Sequence, residues 1–198
     1  MRFDPERRHR RSIRLKGYDY SQPGAYFITI CTQDRACLFG DVMGGEMRLN
    51  EYGHIVWRCL EEIPLHFPHA ELDAFVVMPN HVHGIVILTV QNGVFGKMEQ
   101  FGKPVPGSIP TIVRSFKSAT TRHINALRGT PGAPVWQRNY YEHIIRNEES
   151  LNRIREYIET NAMRWALDRE NPYREGVDPF DEWINSFAQR KDSDARWI

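Results

Sequence analysis

A pair of short apolar runs joined by two turn residues constrains the fold of this chain more than any other feature. Leu72 to Met78 and Val82 to Leu88 are rich in β-branched residues, and Pro79-Asn80 between them is typical of a turn. We interpret the two runs as a β-hairpin. A helix is predicted before the hairpin, at residues 50–64, because apolar residues recur there at intervals of three and four and Asn50 suits the N-cap.

The other periodic segments extend this pattern in both directions. A strand is predicted at residues 25–32, a helix at 108–127, a strand at 135–145 and a helix from 148 to about 166, with Gly- and Pro-rich loops at 91–107 and 129–134. The order strand–helix–strand–strand–helix–strand–helix predicts an α+β fold. We expect a ferredoxin-like split βαβ antiparallel sheet with helices on one face, plus an extra C-terminal helix that carries Tyr157.

The ends of the chain differ from its middle in charge. We divide the 198 residues into a basic N-terminal arm (1–20), a central domain (21–167) and an acidic C-terminal tail (168–198). The three cysteines lack the spacing of a metal site, which favours reduced thiols. Because the chain starts without an apolar signal segment and no run approaches the ~18 apolar residues of a membrane span, we expect a cytoplasmic protein with no membrane partner.

A basic stretch is concealed by the net charge of +1. Residues 100–141 contain no Asp or Glu. Such a stretch suits a surface that faces phosphates, although a solvated basic face is an open alternative. Arg114, Lys117 and Thr121 would align along one side of the predicted helix, where they could contact a DNA backbone. The segment from Trp136 to Tyr141 interleaves aromatic, basic and amide side chains, which suits either stacking on unpaired nucleotides or an edge strand that packs through its aromatic residues. The residues assigned to DNA binding are Arg114, Lys117, Arg122, Arg138 and Tyr140, with Arg10 and Arg11 of the arm.

Two histidines follow the hairpin turn. Because side chains alternate along a strand, His81 and His83 project from the same face and can share one metal ion. Both lie in an otherwise apolar run, where a polar group needs a partner. The pattern alone leaves two interpretations open: a metal site, or histidines with a structural or surface role.

The last predicted helix carries a second polar pair. Its apolar stripe runs from Leu151 to Trp165, and Tyr157 and Asn161 lie one turn apart on a flank of that stripe. This placement suits groups that face a cleft at the edge of the core. Packing of the tyrosine at a core boundary, with the asparagine as a helix cap, is the alternative that the spacing alone favours.

Four motifs in order together resemble the HUH-type single-tyrosine transposases, and among them the bacterial REP-associated tyrosine transposases. They are Met78-Pro-Asn-His-Val-His-Gly84, Ser115-Phe-Lys-Ser118, Trp136-Gln-Arg-Asn-Tyr-Tyr-Glu-His-Ile-Ile-Arg146 and Arg155-Glu-Tyr-Ile-Glu-Thr-Asn161. The resemblance extends over residues 18–167 or so and leaves out the acidic tail. The sequence departs from its relatives at Ala162, where they usually carry Pro, and we expect this to alter the helix end and spare the ligands.

The resemblance implies a role for each site residue. His81 and His83 match the metal-binding HUH pair, Asn161 matches the third ligand, and Tyr157 matches the catalytic tyrosine. Attack by the tyrosine would give a 5′-phosphotyrosine and a free 3′-hydroxyl without a nucleotide cofactor, and rejoining to another strand would follow. A free phenol has a pKa near ~10, so it needs a metal or a base to act as a nucleophile. The family points to Mg²⁺ or Mn²⁺, although this ligand set also suits Zn²⁺.

The implied partners are single-stranded DNA hairpins formed by palindromic repeats, bound by a monomer or homodimer associated with the bacterial nucleoid. One alternative is an autonomous insertion-sequence tyrosine transposase that acts on its own element ends. Another is a non-catalytic module that binds single-stranded nucleic acid on the sheet. A zinc hydrolase built on His81 and His83 is disfavoured because the motif holds no Asp or Glu to serve as a base.

Overall fold

The strands form one four-stranded sheet and a separate small hairpin. The structure, a computed structural model, describes residues 18–90 and 105–194, with side chains up to Ser186. The strands are β1 (Gly24–Cys31), β2 (Gly40–Met43), β3 (Glu46–Leu49), β4 (Ala70–Val77), β5 (His81–Leu88) and β6 (Tyr141–Ile145). The main sheet has the order β4-β5-β1-β6, and every neighbouring pair is antiparallel. This order is that of a split βαβ sheet, so the predicted α+β fold class is confirmed.

Helices cover both faces of the main sheet. They are α1 (Glu51–Glu61), α2 (Ile63–His66), α3 (Ile109–Arg128), α4 (Glu148–Thr160) and α5 (Pro179–Asp194). Alternate residues of β1 point to opposite sides: Ile28 packs in the cluster that contains Phe116 of α3, whereas Phe27 packs in the cluster that contains Ile154 of α4 and Phe180 of α5. Thus α1 and α3 lie on one face, and α4 and α5 lie on the other.

The ends of the predicted elements differ from the observed ones for local reasons. Helix α4 begins after Asn147, whose side chain accepts a hydrogen bond from the backbone of Ser150, and it ends at Thr160 instead of near residue 166. The chain then continues through turns and a 3₁₀ turn at Trp165–Leu167. The predicted strand at 135–145 is regular only from Tyr141, and Trp136 makes a single bridge to Thr32.

Three elements were absent from the sequence prediction: the β2–β3 hairpin, the short helix α2 and α5. The hairpin turns at Gly44 and Gly45, whose φ angles of 61° and 82° are in the left-handed region that favours glycine. Arg10, Arg11 and residues 91–104 of the predicted loop lie outside the described residues, and the proposed domain boundaries stay a prediction. Within residues 18–90 and 105–194, no helix combines the length and apolar character needed to cross a membrane.

Candidate active site

Strand β5 presents both histidines to the side of the sheet that α4 covers. His81 pairs with Cys31 and His83 pairs with Thr29 of β1, so the two histidines lie at the end of β5 next to the hairpin turn. Both side chains are buried, and their ring centroids are 4.4 Å apart. The common face that strand alternation predicts is therefore present in the structure.

Helix α4 brings the tyrosine to these histidines. The phenolic oxygen of Tyr157 lies 3.1 Å from Nε2 of His83, and the Tyr157 side chain is only 3% exposed. Phe180 of α5 stacks on the Tyr157 ring with centroids 3.7 Å apart and planes 7° apart. The tyrosine is thus next to the histidines, as the resemblance implies, and although it is almost fully buried it forms part of the lining of a groove of about 430 Å³ with Arg164 and Phe180.

A carboxylate from the tail completes the cluster. Oδ2 of Asp168 accepts hydrogen bonds from the Tyr157 hydroxyl at 3.2 Å and from the Asn161 side-chain amide at 2.8 Å. The same oxygen lies 3.7 Å from Nε2 of His81 and 3.9 Å from Nε2 of His83. His81, His83 and Asp168 can therefore direct one ligand atom each at a common point, and these atoms lie within 4.8 Å of one another.

Two atoms of this cluster lack a hydrogen-bond partner among the described residues. They are Nε2 of His81 and Oδ1 of Asn161, and both are fully buried. A buried polar atom without a partner is costly unless a water or an ion satisfies it. Imidazole nitrogens together with amide and carboxylate oxygens form a donor set suited to a divalent transition metal. The residues present therefore fit a divalent metal ion.

Burial and neighbouring carboxylates set the electrostatics of the cluster. Burial, aided by neighbouring His83, lowers the pKa of His81 to about 3, so the ring is neutral and able to act as a ligand. Burial raises the pKa of Tyr157 far above its ordinary value, and the carboxylates of Asp168, Asp181 and Asp178 raise it further. Burial alone would raise the pKa of Asp168, but the two histidines and the Asn161 amide outweigh it and hold this pKa low.

The exposed arginines assigned to DNA binding lie on α3 and on the segment before β6. Arg114, Arg122 and Arg138 are exposed, and a groove of about 710 Å³ between α3 and residues 131–138 is lined by Arg122 and Arg138. None of the described residues that line this groove is acidic. Its charge suits a phosphate backbone, and its lining includes Lys117 and Thr121 of the predicted basic face but not Arg114, which lines a separate pocket.

Other residues assigned to DNA have partners within the protein. The Lys117 ammonium group donates hydrogen bonds to the carbonyls of Gln137 and Asn139 at 2.9 and 2.8 Å, and it lies 5.7 Å from the centre of the Tyr140 ring. Burial lowers the pKa of Lys117 to about 8. Trp136 is buried, and its indole N–H donates to the Thr120 hydroxyl at 2.8 Å, so this residue packs in the core instead of offering a stacking surface.

Sequence reasoning missed Asp168 and Phe180. Asp168 follows Asn161 by seven residues, a spacing that matches no ligand motif, and only the turns after α4 bring it back to the histidines. Phe180 and Ile184 are spaced four apart in the acidic tail, which is a weak sign of a packed helix. The tail therefore covers the cluster, a point that the sequence left open.

The comparisons with known proteins come from sequence and from structure. No model of a known protein family matches the chain. An uncharacterized protein from Haemophilus influenzae is 45% identical over 170 residues, which cover 81% of this chain and 92% of that protein. A second protein of Haemophilus influenzae, named as a candidate REP-associated tyrosine transposase, is 22% identical over 147 residues, or 74% of each chain.

One solved structure shares the fold. A REP-associated tyrosine transposase bound to a REP hairpin matches with a TM-score of 0.52 and 20% identity over 75% of this chain and 72% of that one. The fold similarity agrees with the sequence similarity to a protein of the same name and with the four ordered motifs. The chain therefore shares the fold of a REP-associated tyrosine transposase and is similar in sequence, over about three quarters of its length, to a protein named for the same group.

Proposed function

We propose that this protein is a metal-dependent single-stranded DNA endonuclease and transposase, which cuts and rejoins DNA at hairpin-forming repeats through a covalent 5′-phosphotyrosine. The observation that carries the proposal is the contact between Tyr157 and His83, at 3.1 Å, inside a cluster that also holds His81, Asn161 and Asp168. A nucleophile beside a set of metal donors is the arrangement that phosphoryl transfer to a tyrosine needs.

The donors for the metal come from two parts of the chain. His81 and His83 supply nitrogens from β5, while Asn161 and Asp168 supply oxygens from the segment that follows α4. A bound Mg²⁺ or Mn²⁺ would polarise the scissile phosphate and offset charge on the leaving oxygen. The unpartnered Nε2 of His81 and Oδ1 of Asn161 favour this role for their side chains.

The proposed cleavage step exchanges one phosphate ester for another. The Tyr157 oxygen forms a bond to phosphorus while the bond from phosphorus to the 3′-oxygen of the preceding nucleotide breaks. The phenolic proton passes to Oδ2 of Asp168, which lies 3.2 Å from the phenolic oxygen, and the leaving 3′-oxygen takes up a proton to become a hydroxyl. Attack by a 3′-hydroxyl on the phosphotyrosine reverses these steps and rejoins the strand.

The basic groove gives a place for the hairpin. The REP-associated relative in the solved structure is bound to a REP hairpin, and we extend this partner to the present chain. Arg122 and Arg138 line the groove, and none of the described residues that line it is acidic, so the two arginines suit contacts to the phosphates of a stem. The protein would act on nucleoid DNA in the cytoplasm.

A labelled single-stranded repeat hairpin tests the proposal directly. Incubated with Mn²⁺, the wild-type protein should form a covalent adduct that survives a denaturing gel, and Tyr157→Phe and His81→Ala should form none. Tyr173→Phe is the matched control, because Tyr173 is 85% exposed and is the more accessible phenol. An adduct with Tyr157→Phe, or none with wild type on any repeat hairpin, would contradict the proposal.

The same experiment separates the alternatives. A non-catalytic binding module would retard the hairpin in a native gel and never crosslink to it. An autonomous insertion-sequence transposase would cut the ends of its own element and leave repeat hairpins intact. Asp168 supplies the carboxylate that the histidine motif itself lacks, so a zinc hydrolase also needs a test: its activity should survive Tyr157→Phe and vanish with His81→Ala.

A further inference from the structure

We propose that Asn80 is a positioning residue that fixes the ring of His81 so that its Nε2 lone pair faces the metal donors. This inference rests on the proposed function, because it concerns how a metal ligand is oriented. Asn80 belongs to the turn between β4 and β5, and its side chain is completely buried. Among the described hydrogen bonds, His81 is the one member of the cluster that the Asn80 side chain contacts directly, and its bond to the Glu170 carbonyl reaches Asp168 only through the backbone.

The orientation of the Asn80 amide follows from its backbone partners. Its Nδ2 donates hydrogen bonds to the carbonyl oxygens of Arg35 at 3.1 Å and Glu170 at 2.7 Å. A carbonyl oxygen only accepts, so the amide nitrogen has to be on that side. The amide oxygen then faces His81, and Oδ1 lies 2.9 Å from its Nδ1.

The tautomer of His81 follows in turn. The Asn80 oxygen accepts and does not donate, so Nδ1 of His81 has to carry the hydrogen. A neutral imidazole carries one hydrogen, and Nε2 is then left with a lone pair. This Nε2 is the buried atom without a hydrogen-bond partner among the described residues, and it lies 3.7 Å from Oδ2 of Asp168. Two backbone carbonyls thus determine, through one amide, which nitrogen is available to a metal.

The second histidine is held in a different way. Nδ1 of His83 lies 2.9 Å from the hydroxyl of Thr29, which is able either to donate or to accept. The Thr29 contact therefore allows both tautomers of His83, whereas Asn80 allows one tautomer of His81. Nε2 of His83 also contacts the Tyr157 hydroxyl. The tautomer of His83 therefore decides whether Nε2 accepts the hydroxyl hydrogen or donates its own to the phenolic oxygen.

The Asn80 amide also joins three segments of the chain. Its partners are the turn at Gln33–Arg35, the histidine strand, and the segment that carries Asp168 and Glu170. Asp168 is bonded in the same segment, because its Oδ1 accepts from the backbone N–H of Glu170 at 2.7 Å. Correct placement of this segment therefore supports both the carboxylate and the imidazole of the site. An aspartate in place of Asn80 would put a carboxylate oxygen against the two carbonyl oxygens, with no hydrogen to donate. This explains why an amide side chain occupies the position.

Nitrogen-15 NMR of histidine-labelled, metal-free wild-type protein tests the tautomer without any substitution. We expect His81 to carry its hydrogen on Nδ1, and a hydrogen on Nε2 would overturn the proposal. Titration calorimetry with Mn²⁺ tests the consequence: Asn80→Ala should bind Mn²⁺ about 10- to 100-fold more weakly than wild type, the usual effect of removing the partner of a ligand histidine.

Asn125→Ala is the matched control for loss of a buried amide. Asn125 lies in α3 on the other face, where its side chain bonds the carbonyl of Ala133 and the guanidinium of Arg128. Its Mn²⁺ affinity should equal that of wild type, so a general loss of stability is distinguished from loss of positioning. Equal Mn²⁺ affinity in Asn80→Ala and wild type would overturn the role of Asn80 alone. Wild-type protein that binds no Mn²⁺ would instead overturn the metal in the proposed function.

Discussion

Phe180 covers the ring of the proposed nucleophile, and we expect Phe180→Ala to speed strand cleavage. The two rings stack at 3.7 Å, and Phe180 also makes edge contacts with Phe27 at 6.0 Å and a tilted contact with Trp183 at 5.4 Å. Tyr157 is 3% exposed, so a DNA phosphate reaches its oxygen only after this cover moves. Loss of the Phe180 ring weakens the closed arrangement of α5.

The size of the effect follows from these contacts. Removal of a buried phenylalanine ring costs about 3–5 kcal/mol, of which each aromatic pair accounts for roughly 0.5–1.5 kcal/mol. If the substitution destabilises only the closed arrangement of α5, by roughly 3 kcal/mol, the fraction of molecules with Tyr157 uncovered rises about 100-fold, since each 1.4 kcal/mol is a factor of ten. Part of the cost also falls on the global fold, so we expect the rate of adduct formation to rise by about ten-fold or more.

The assay is the initial rate of covalent adduct formation on a saturating labelled hairpin, together with a thermal melt. Phe116→Ala is the matched control, because Phe116 is 4% exposed, like Phe180, but packs against Trp136 on the opposite face of the sheet. Both variants should melt at a lower temperature, and only Phe180→Ala should cleave faster. A folded Phe180→Ala that cleaves no faster than wild type, or equal acceleration by Phe116→Ala, would refute the reasoning.

Three further predictions concern the core, the groove and the carboxylate. Trp136→Ala should cost about 3–5 kcal/mol of unfolding free energy, measured by denaturant titration, because the indole packs between Phe39 and Phe116. The double variant Arg122→Ala and Arg138→Ala should weaken hairpin binding and reduce the slope of log affinity against log salt concentration by about two. Lys117→Met should leave that slope unchanged, because backbone carbonyls already hold the Lys117 ammonium group. Asp168→Asn should weaken Mn²⁺ binding in calorimetry by about ten-fold or more, and an unchanged affinity would remove Asp168 from the ligand set.

The sheet was predictable because its elements carry long periodic signals. The apolar runs of β4 and β5 flank a turn, and α3 and α4 have apolar stripes that extend over several turns. The β2–β3 hairpin has strands of four residues, too short for alternation to distinguish them from a loop. Helix α5 was not predicted because acidic residues dominate the tail, although Phe180 and Ile184 of this helix are buried in the structure.

The site was predictable only where its residues share one element. His81 and His83 are two apart on a strand, and Tyr157 and Asn161 are four apart on a helix, so local geometry brings each pair together. Asp168 reaches the same point through turns at residues 161–167, whose path depends on tertiary contacts. No spacing rule describes such a path, and the carboxylate therefore emerges only from the folded chain.

The division of the sheet into two faces limits how one DNA molecule contacts both the groove and Tyr157. Helix α3 lies on one face and α4 on the other, so the DNA has to pass an edge or an end of the sheet. Residues 136–139 lie at such an end: the Gln137 N–H bonds the Cys31 carbonyl at 2.9 Å, and Cys31 pairs with His81. Lys117 fixes the carbonyls of Gln137 and Asn139, so the backbone that carries Arg138 is held in place at this end of the sheet. We therefore expect Arg138 to guide the unpaired strand towards Tyr157, and Arg122 to hold the stem.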